Sequence, residues 1–204
     1  MNKPSDTSRI SDQLAFLTEA DKLKTILRAS PICDGSRREN SGEHSWHLAL
    51  YAMILSEHAV RPVNVGRVIK MLLIHDLVEI DAGDHPLHGD GVPAEQVEAE
   101  KAAAERIFGL LPADQMQAFK TLWEEFEAAE SDDAIFAKSI DRVQPVLANL
   151  ETNGGTWSDY DVTLEKLEAR VGVKVRKGAP AIWNAISDRI RDWFSNNENL
   201  RKPS

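Results

Sequence analysis

Cysteine is nearly absent from this sequence: Cys33 is the only one among 204 residues. An intramolecular disulfide needs two thiols and a zinc–thiolate cluster needs more, so both are excluded, and a reducing, cytoplasmic setting is expected. Apolar runs are short. No stretch approaches the ~20 residues that cross a bilayer, so no membrane partner is expected. Residues 1–10 are polar and lack the apolar region of a secretory signal; a flexible arm is expected there. Positive charge is in deficit, with 24 Lys and Arg against 33 Asp and Glu and a formal net charge of −9. Proteins that hold a nucleic-acid backbone carry a basic face, so no nucleic acid is expected either. A small phosphate ester stays open, because a bound metal can supply local positive charge. Strand-like alternation is scarce, with residues 171–175 the one short candidate. Internal repeats, low-complexity blocks and heptads are missing.

What remains is an ordinary soluble composition, 42% apolar and 28% charged, long enough for one substantial core. Leu14, Phe16, Leu17, Ala20, Leu23, Ile26 and Leu27 recur at helical spacing and predict a first helix over residues 12–28. Pro31, Asp34 and Gly35 mark a loop. A second helix starts near Ser41 and carries His44, His47, Leu48 and Tyr51; the next starts near residue 63 and continues to about 84. Residues 85–92 show no period. Pro93, at a favoured first-turn position, opens a helix to about residue 108, and another spans about 114–129. Ser131-Asp132-Asp133 caps a helix over 134–151. Helices over 156–171 and 181–194 complete the chain. The expectation is one all-α domain over residues 11–204, of about seven to eight helices, with its chemistry between residues 36 and 150.

The stretch that organises this pattern is 68–84. It begins as a helix apolar on most sides, which is the mark of burial, and then places His75 and Asp76 where the apolar run should continue. Burying such a group without a partner costs roughly 2–7 kcal/mol, and more if it is charged. A His–Asp pair standing alone is ordinarily a structural hydrogen bond. Its company decides otherwise. His44 lies on the second helix, and Asp141 interrupts the apolar run of Ala137, Ile140, Val143 and Val146. Two imidazoles and two carboxylates suit a divalent metal with positions left open, which is a catalytic rather than a structural design. Glu79 lies one turn beyond His75 and faces the same way. Gly83 lets the chain leave the helix.

Three strings in order, Glu39-Asn40-Ser41-Gly42-Glu43-His44-Ser45, then His75-Asp76-Leu77-Val78-Glu79 with Gly83-Asp84, then Ile140-Asp141, carry a family resemblance over residues 14–150. The chain resembles the HD-domain superfamily of metal-dependent phosphohydrolases, and within it the small YfbR-like 5′-deoxynucleotidases. The resemblance implies a single HD-domain helical bundle and a homodimer. It implies one divalent ion (Mn²⁺, Co²⁺, Fe²⁺, Zn²⁺ or Mg²⁺) held by His44, His75, Asp76 and Asp141, with Glu79 activating or guiding the attacking water. It implies Asp84 on the sugar hydroxyl and Arg37 in the same pocket, acting on a small phosphorylated substrate, a (deoxy)nucleoside 5′-monophosphate. One departure stands out. Those enzymes carry an Arg-Trp pair just before a proline, whereas Ala29-Ser30 precede Pro31 here and Arg28 comes one position earlier. Hydrolysis of another small phosphate ester is therefore a second expectation. A di-iron oxygenase on the same fold is a third; it would need extra ligands, and His85 and His88 are the histidines available between Asp76 and Asp141. Among the remaining candidates, His47 reads as core or support for the site, Glu43 as a helix-start acid and His58 as surface. Arg142 reads as paired with a carboxylate rather than touching substrate, though buried arginines do both. Trp46 and Trp123 read as core, with lining of the pocket the alternative for either.

Overall fold

Short polar side chains set the helix starts. In the computed structural model, which describes residues 6–85 and 94–197, the Asn40 side chain accepts from the Glu43 amide at 2.9 Å and Glu43 accepts from the Asn40 amide at 3.1 Å. This capping box opens α2 (Ser41–Leu55), so Glu43 takes the helix-start role expected of it. Asn64 caps α3 (Val65–Ile74) by accepting from Arg67. Downstream come α4 (Glu79–Ala82), α5 (Ala94–Phe108), α6 (Ala113–Ala128), α7 (Asp132–Glu151), α8 (Leu164–Leu167), α9 (Val173–Gly178) and α10 (Pro180–Asn196), with α1 (Asp6–Ala20) at the start. Ser131 caps α7 as its sequence predicts. The described residues thus hold ten α-helical segments, two of them four-residue turns, on the all-α plan.

The apolar side chains form two clusters. One joins Leu48, Val68, Met71, Leu72, Ile140 and Val143 to Trp157, Trp183 and Ile190. The other joins Phe16 and Leu23 to Ile74, Leu77, Val78, Ile107, Phe108 and Trp123. The segment 68–78 supplies both, because its residues face first one cluster and then the other. His75 and Asp76 lie at the seam.

Local expectations fail where tertiary forces outweigh local pattern. The first helix does not reach Arg28. It begins at Asp6, inside the stretch expected to be an arm, and ends at Ala20, followed by a 3₁₀ turn Asp21–Thr25. Then β1 (Leu27–Pro31) pairs antiparallel with β2 (Arg38–Asn40), Leu27 opposite Asn40 and Pro31 opposite Arg38. Pro31 disfavours a helical residue before it, and the extended strand turns Arg28 and Glu39 inward together. Residues 171–175 are not a strand but part of a π-helical turn Glu168–Gly172 and of α9. The helix expected over 156–171 is broken, because Asn149 Oδ1 accepts from the Thr156 amide and hydroxyl and holds a turn there. Trp46 is 60% exposed rather than core.

The organising stretch is not one helix either. After Ile74 it tightens into a 3₁₀ turn, His75–Val78, before α4. Residues 74 to 79 are all buried, more than one stripe of an α-helix can hide. In a 3₁₀ turn residues three apart eclipse, which brings Asp76 and Glu79 onto one edge. Gly83, at φ 75° and ψ 160°, then turns Asp84 back. Only glycine adopts that backbone readily; nothing lies within 4 Å of where a Cβ would sit, so the requirement is conformational.

Candidate metal and substrate site

Three elements bring the site together. The α2 residue His44 points Nε2 at Asp141 Oδ1 on α7, 3.1 Å away. Its other nitrogen, Nδ1, lies 3.1 Å from Gln144 Oε1 and 3.2 Å from Glu39 Oε2. Gln144 also donates to Glu39 at 3.0 Å, so the imidazole of a fully buried residue is held from behind. His75 Nε2 lies 2.9 Å from Asp76 Oδ1 and 3.7 Å from Asp141 Oδ1. Ligand atoms of His44, His75 and Asp141 all lie within 4.8 Å of one another. Asp76 adjoins them through His75.

The protonation of His75 tests whether a cation fits. Its Nδ1 is 2.9 Å from the Leu72 carbonyl oxygen. A carbonyl only accepts, so Nδ1 carries the hydrogen, and a neutral ring presents a lone pair at Nε2 to two carboxylates. Among the described residues Nε2 has no aligned hydrogen-bond partner. Acceptors facing acceptors need a cation between them. Burial works against a charged ring, but Asp76 and Asp141 outweigh it and push His75 up to about 10. Burial raises Asp141 too, yet His44 and His75 hold it well below the usual carboxylate range. Without metal the cation is a proton on His75; the same donor set suits a divalent ion.

One guanidinium organises the carboxylates beside it. Arg28 donates from Nη1 to Asp76 Oδ2 at 2.9 Å, with Asp84 at 3.6 Å, Glu79 at 3.7 Å and Glu39 at 3.9 Å. Ser41 donates to Glu79 Oε2 at 2.6 Å. Burial pushes the Glu79 carboxyl up to about 9, Asp76 and Asp84 adding to this and Arg28 opposing it. Burial also raises Asp84, again opposed by Arg28.

A cavity of about 510 Å³ opens beside this cluster. His75, Asp76, Glu79, Asp84 and Asp141 line it, as do Arg28, Trp123 and Arg142. Six of the seven residues expected at the site are therefore brought together, with His44 behind the wall. Arg37 is not. It stands on the surface in a two-pronged pair with Glu43, at 2.7 and 2.8 Å, and does not line the cavity; the carboxylate that caps α2 holds it there. Arg28 occupies the inner position instead. Sequence reading missed it because the helical period over 12–28 hid its strand. Its one signal was an arginine just upstream of Pro31. Gln144, three residues after Asp141, was also missed. His47 supports the site as expected, 3.4 Å from Gln144 Nε2. His58 is exposed. Arg142 has a carboxylate beside it, Asp141, at 3.7 Å. His85 is exposed at the cavity, and His88 lies outside the described residues.

With this geometry in place, comparison with known proteins is informative. The model of the HD domain family matches residues 20–183. The human 5′-deoxynucleotidase HDDC2 (Homo sapiens) is 30% identical over 161 residues, 75% of this chain and 77% of that protein. The 5′-deoxynucleotidase yfbR of Photorhabdus temperata is 26% identical over 167 residues, 78% and 84% of the two chains. A crystal structure described as a predicted metal-dependent phosphohydrolase, from Magnetospirillum magnetotacticum MS-1, superposes with a TM-score of 0.89 at 44% identity, covering 98% of this chain and 99% of that one.

Proposed function

The chain belongs to the HD-domain family, and from that premise we propose that it removes phosphate from (deoxy)nucleoside 5′-monophosphates in a metal-dependent hydrolysis. The observation that carries the reading is His75 Nε2 facing the carboxylates of Asp76 and Asp141 beside His44, next to a cavity. His44, His75, Asp76 and Asp141 would hold one divalent ion. When bound, that ion supplies Lewis acidity and lowers the pKa of water, to about 7 in the best cases.

The protein's own groups do the rest. Glu79 accepts the proton of the attacking water at Oε1, its other oxygen being fixed by Ser41. Without metal, burial keeps this carboxyl protonated up to about pH 9; a bound divalent ion beside it would favour the carboxylate, the form that takes the water proton and returns it to the leaving alkoxide. Arg28 spaces Asp76, Glu79 and Asp84 so that three carboxylates can share one wall. Asp84 accepts a hydrogen bond from the sugar hydroxyl. Gln144 and Glu39 keep His44 in one orientation.

The test is release of inorganic phosphate from a panel of 5′-, 3′- and deoxynucleoside monophosphates and an aryl phosphate, with each metal added and with chelator. Metal-dependent release from 5′-monophosphates is expected. Release from the aryl ester alone would instead favour hydrolysis of another small ester, the reading that Ala29-Ser30 before Pro31 supports. Trp46, Met53 and Ile54 leave an apolar face of α2 exposed, and that face supports assembly as a homodimer; a monomer by light scattering would refute it. A cytoplasmic setting accords with the lone thiol.

A further inference from the structure

Positive charge around the cavity is unevenly committed. Arg28 is surrounded by four carboxylates and is neutralised within the protein. Arg37 is taken up by Glu43. Lys120 is paired with Glu105, and Lys138 with Glu127 at 2.9 Å. Arg142 shares a buried, unpartnered Nε with Arg28 but lacks the ring of carboxylates that neutralises Arg28. It lines the cavity with its side chain only 13% exposed. Among the described residues the carboxylate within ion-pair distance is Asp141, whose Oδ2 is 3.7 Å away and whose Oδ1 is already engaged with His44 and His75. Arg142 Nε is buried with no hydrogen-bond partner among the described residues.

A buried donor without an acceptor is costly to keep and calls for a reason. Lys138, Asp141 and Arg142 lie on one face of α7, so the guanidinium stands beside the metal-ligand position and turns to the cavity. We propose that Arg142 is the residue that takes the phosphate of the substrate, its planar fork spanning two phosphoryl oxygens, and that it makes the site selective for doubly charged monoesters. This assignment rests on the phosphohydrolase reading and replaces Arg37 in the role the sequence suggests for that residue.

The experiment uses the metal-loaded full chain and inorganic phosphate as probe, measured by calorimetry and by competitive inhibition, for the wild type, Arg142→Gln and Arg142→Lys. Arg142→Gln is expected to weaken phosphate roughly 10- to 100-fold, the scale of lost charge-assisted hydrogen bonds. KM should rise on the nucleotide and the aryl ester alike, with metal content and melting temperature unchanged. Arg142→Lys should recover part of the affinity, since it returns the charge without the fork. Undiminished phosphate binding in Arg142→Gln overturns the proposal, as does a wild type that binds no phosphate. Loss of metal along with phosphate overturns it as well, because Arg142 would then act through Asp141. Phosphate binding that depends on Arg142 in a protein that hydrolyses none of the esters would leave this anion site standing and remove the hydrolase reading.

Discussion

At the scale of single residues, neighbours in sequence carry different burdens. Asp76 and Glu79 eclipse on the same 3₁₀ edge and share Arg28, yet only Asp76 approaches His75 Nε2. Substituting Asp76→Ala should strip the metal and end turnover together. Glu79→Gln should keep the metal, keep the bond from Ser41, and lose roughly 10²–10⁴-fold in kcat, the range for general acid–base catalysis. Elemental analysis beside single-turnover kinetics separates the two. A metal-free Glu79→Gln protein would make Glu79 a ligand and undo the division of roles.

Elements decide where those residues stand. The β1–β2 ribbon delivers Arg28 and Glu39 from one side, α2 delivers His44, the 3₁₀ turn delivers His75 and Asp76, and α7 delivers Asp141 and Gln144. At Gly83 one residue's backbone aims Asp84 at Arg28. Gly83→Ala should cost about 1–3 kcal/mol, the price of an L-residue in that region, read as a lower denaturation midpoint. It should also mimic Asp84→Ala by reducing turnover of 5′-nucleotides more than of an aryl phosphate, with metal retained. Equal losses on both substrates would remove the sugar contact assigned to Asp84. Pro145 marks α7 in another way: lacking an N–H, it leaves the Asp141 carbonyl without its helical donor.

At the scale of the whole molecule, the site is a store of protons when metal is absent. His75 is raised to about 10 from 6.5, and Glu79 to about 9 from 4.5. Both groups bind protons more tightly folded than unfolded. Their contributions are therefore fully present below the unfolded values and are lost as pH rises through the folded ones. Metal-free protein should lose stability from about pH 4.5, where the Glu79 contribution begins to fall, and more steeply from 6.5 to about 10 as that of His75 joins it, by urea denaturation, and metal-loaded protein much less. Metal must also displace the His75 proton. Apparent affinity should then climb by up to tenfold per pH unit for each proton displaced, with one proton released from His75 and a second from Glu79 when titrated at neutral pH in buffers of different ionisation enthalpy. A pH-independent affinity would show that His75 is neutral before metal arrives and that the carboxylates around it are not what holds its proton.

Residue types and spacing by themselves determined the all-α plan, the caps of α2 and α7, the convergence of His44, His75 and Asp141, and the class of chemistry. Each of these depends on chemistry that is local or that has few solutions: apolar period, cap side chains, and polar groups in an apolar helix that must find partners. Tertiary structure alone decided which arginine faces which acid. Arg28 sits in a stretch with a helical period but is extended, because buried carboxylates of Asp76, Glu79 and Asp84 converge on its position. Arg37 has the right spacing from His44 but is held outside by Glu43. Arg142 lies beside Asp141 at 3.7 Å and lines the cavity, but its buried Nε has no hydrogen bond among the described residues. Charge pairing acts through space over a few ångströms, between residues up to a hundred positions apart, and so the destination of a guanidinium is written in the packing of the elements rather than in the order of the chain.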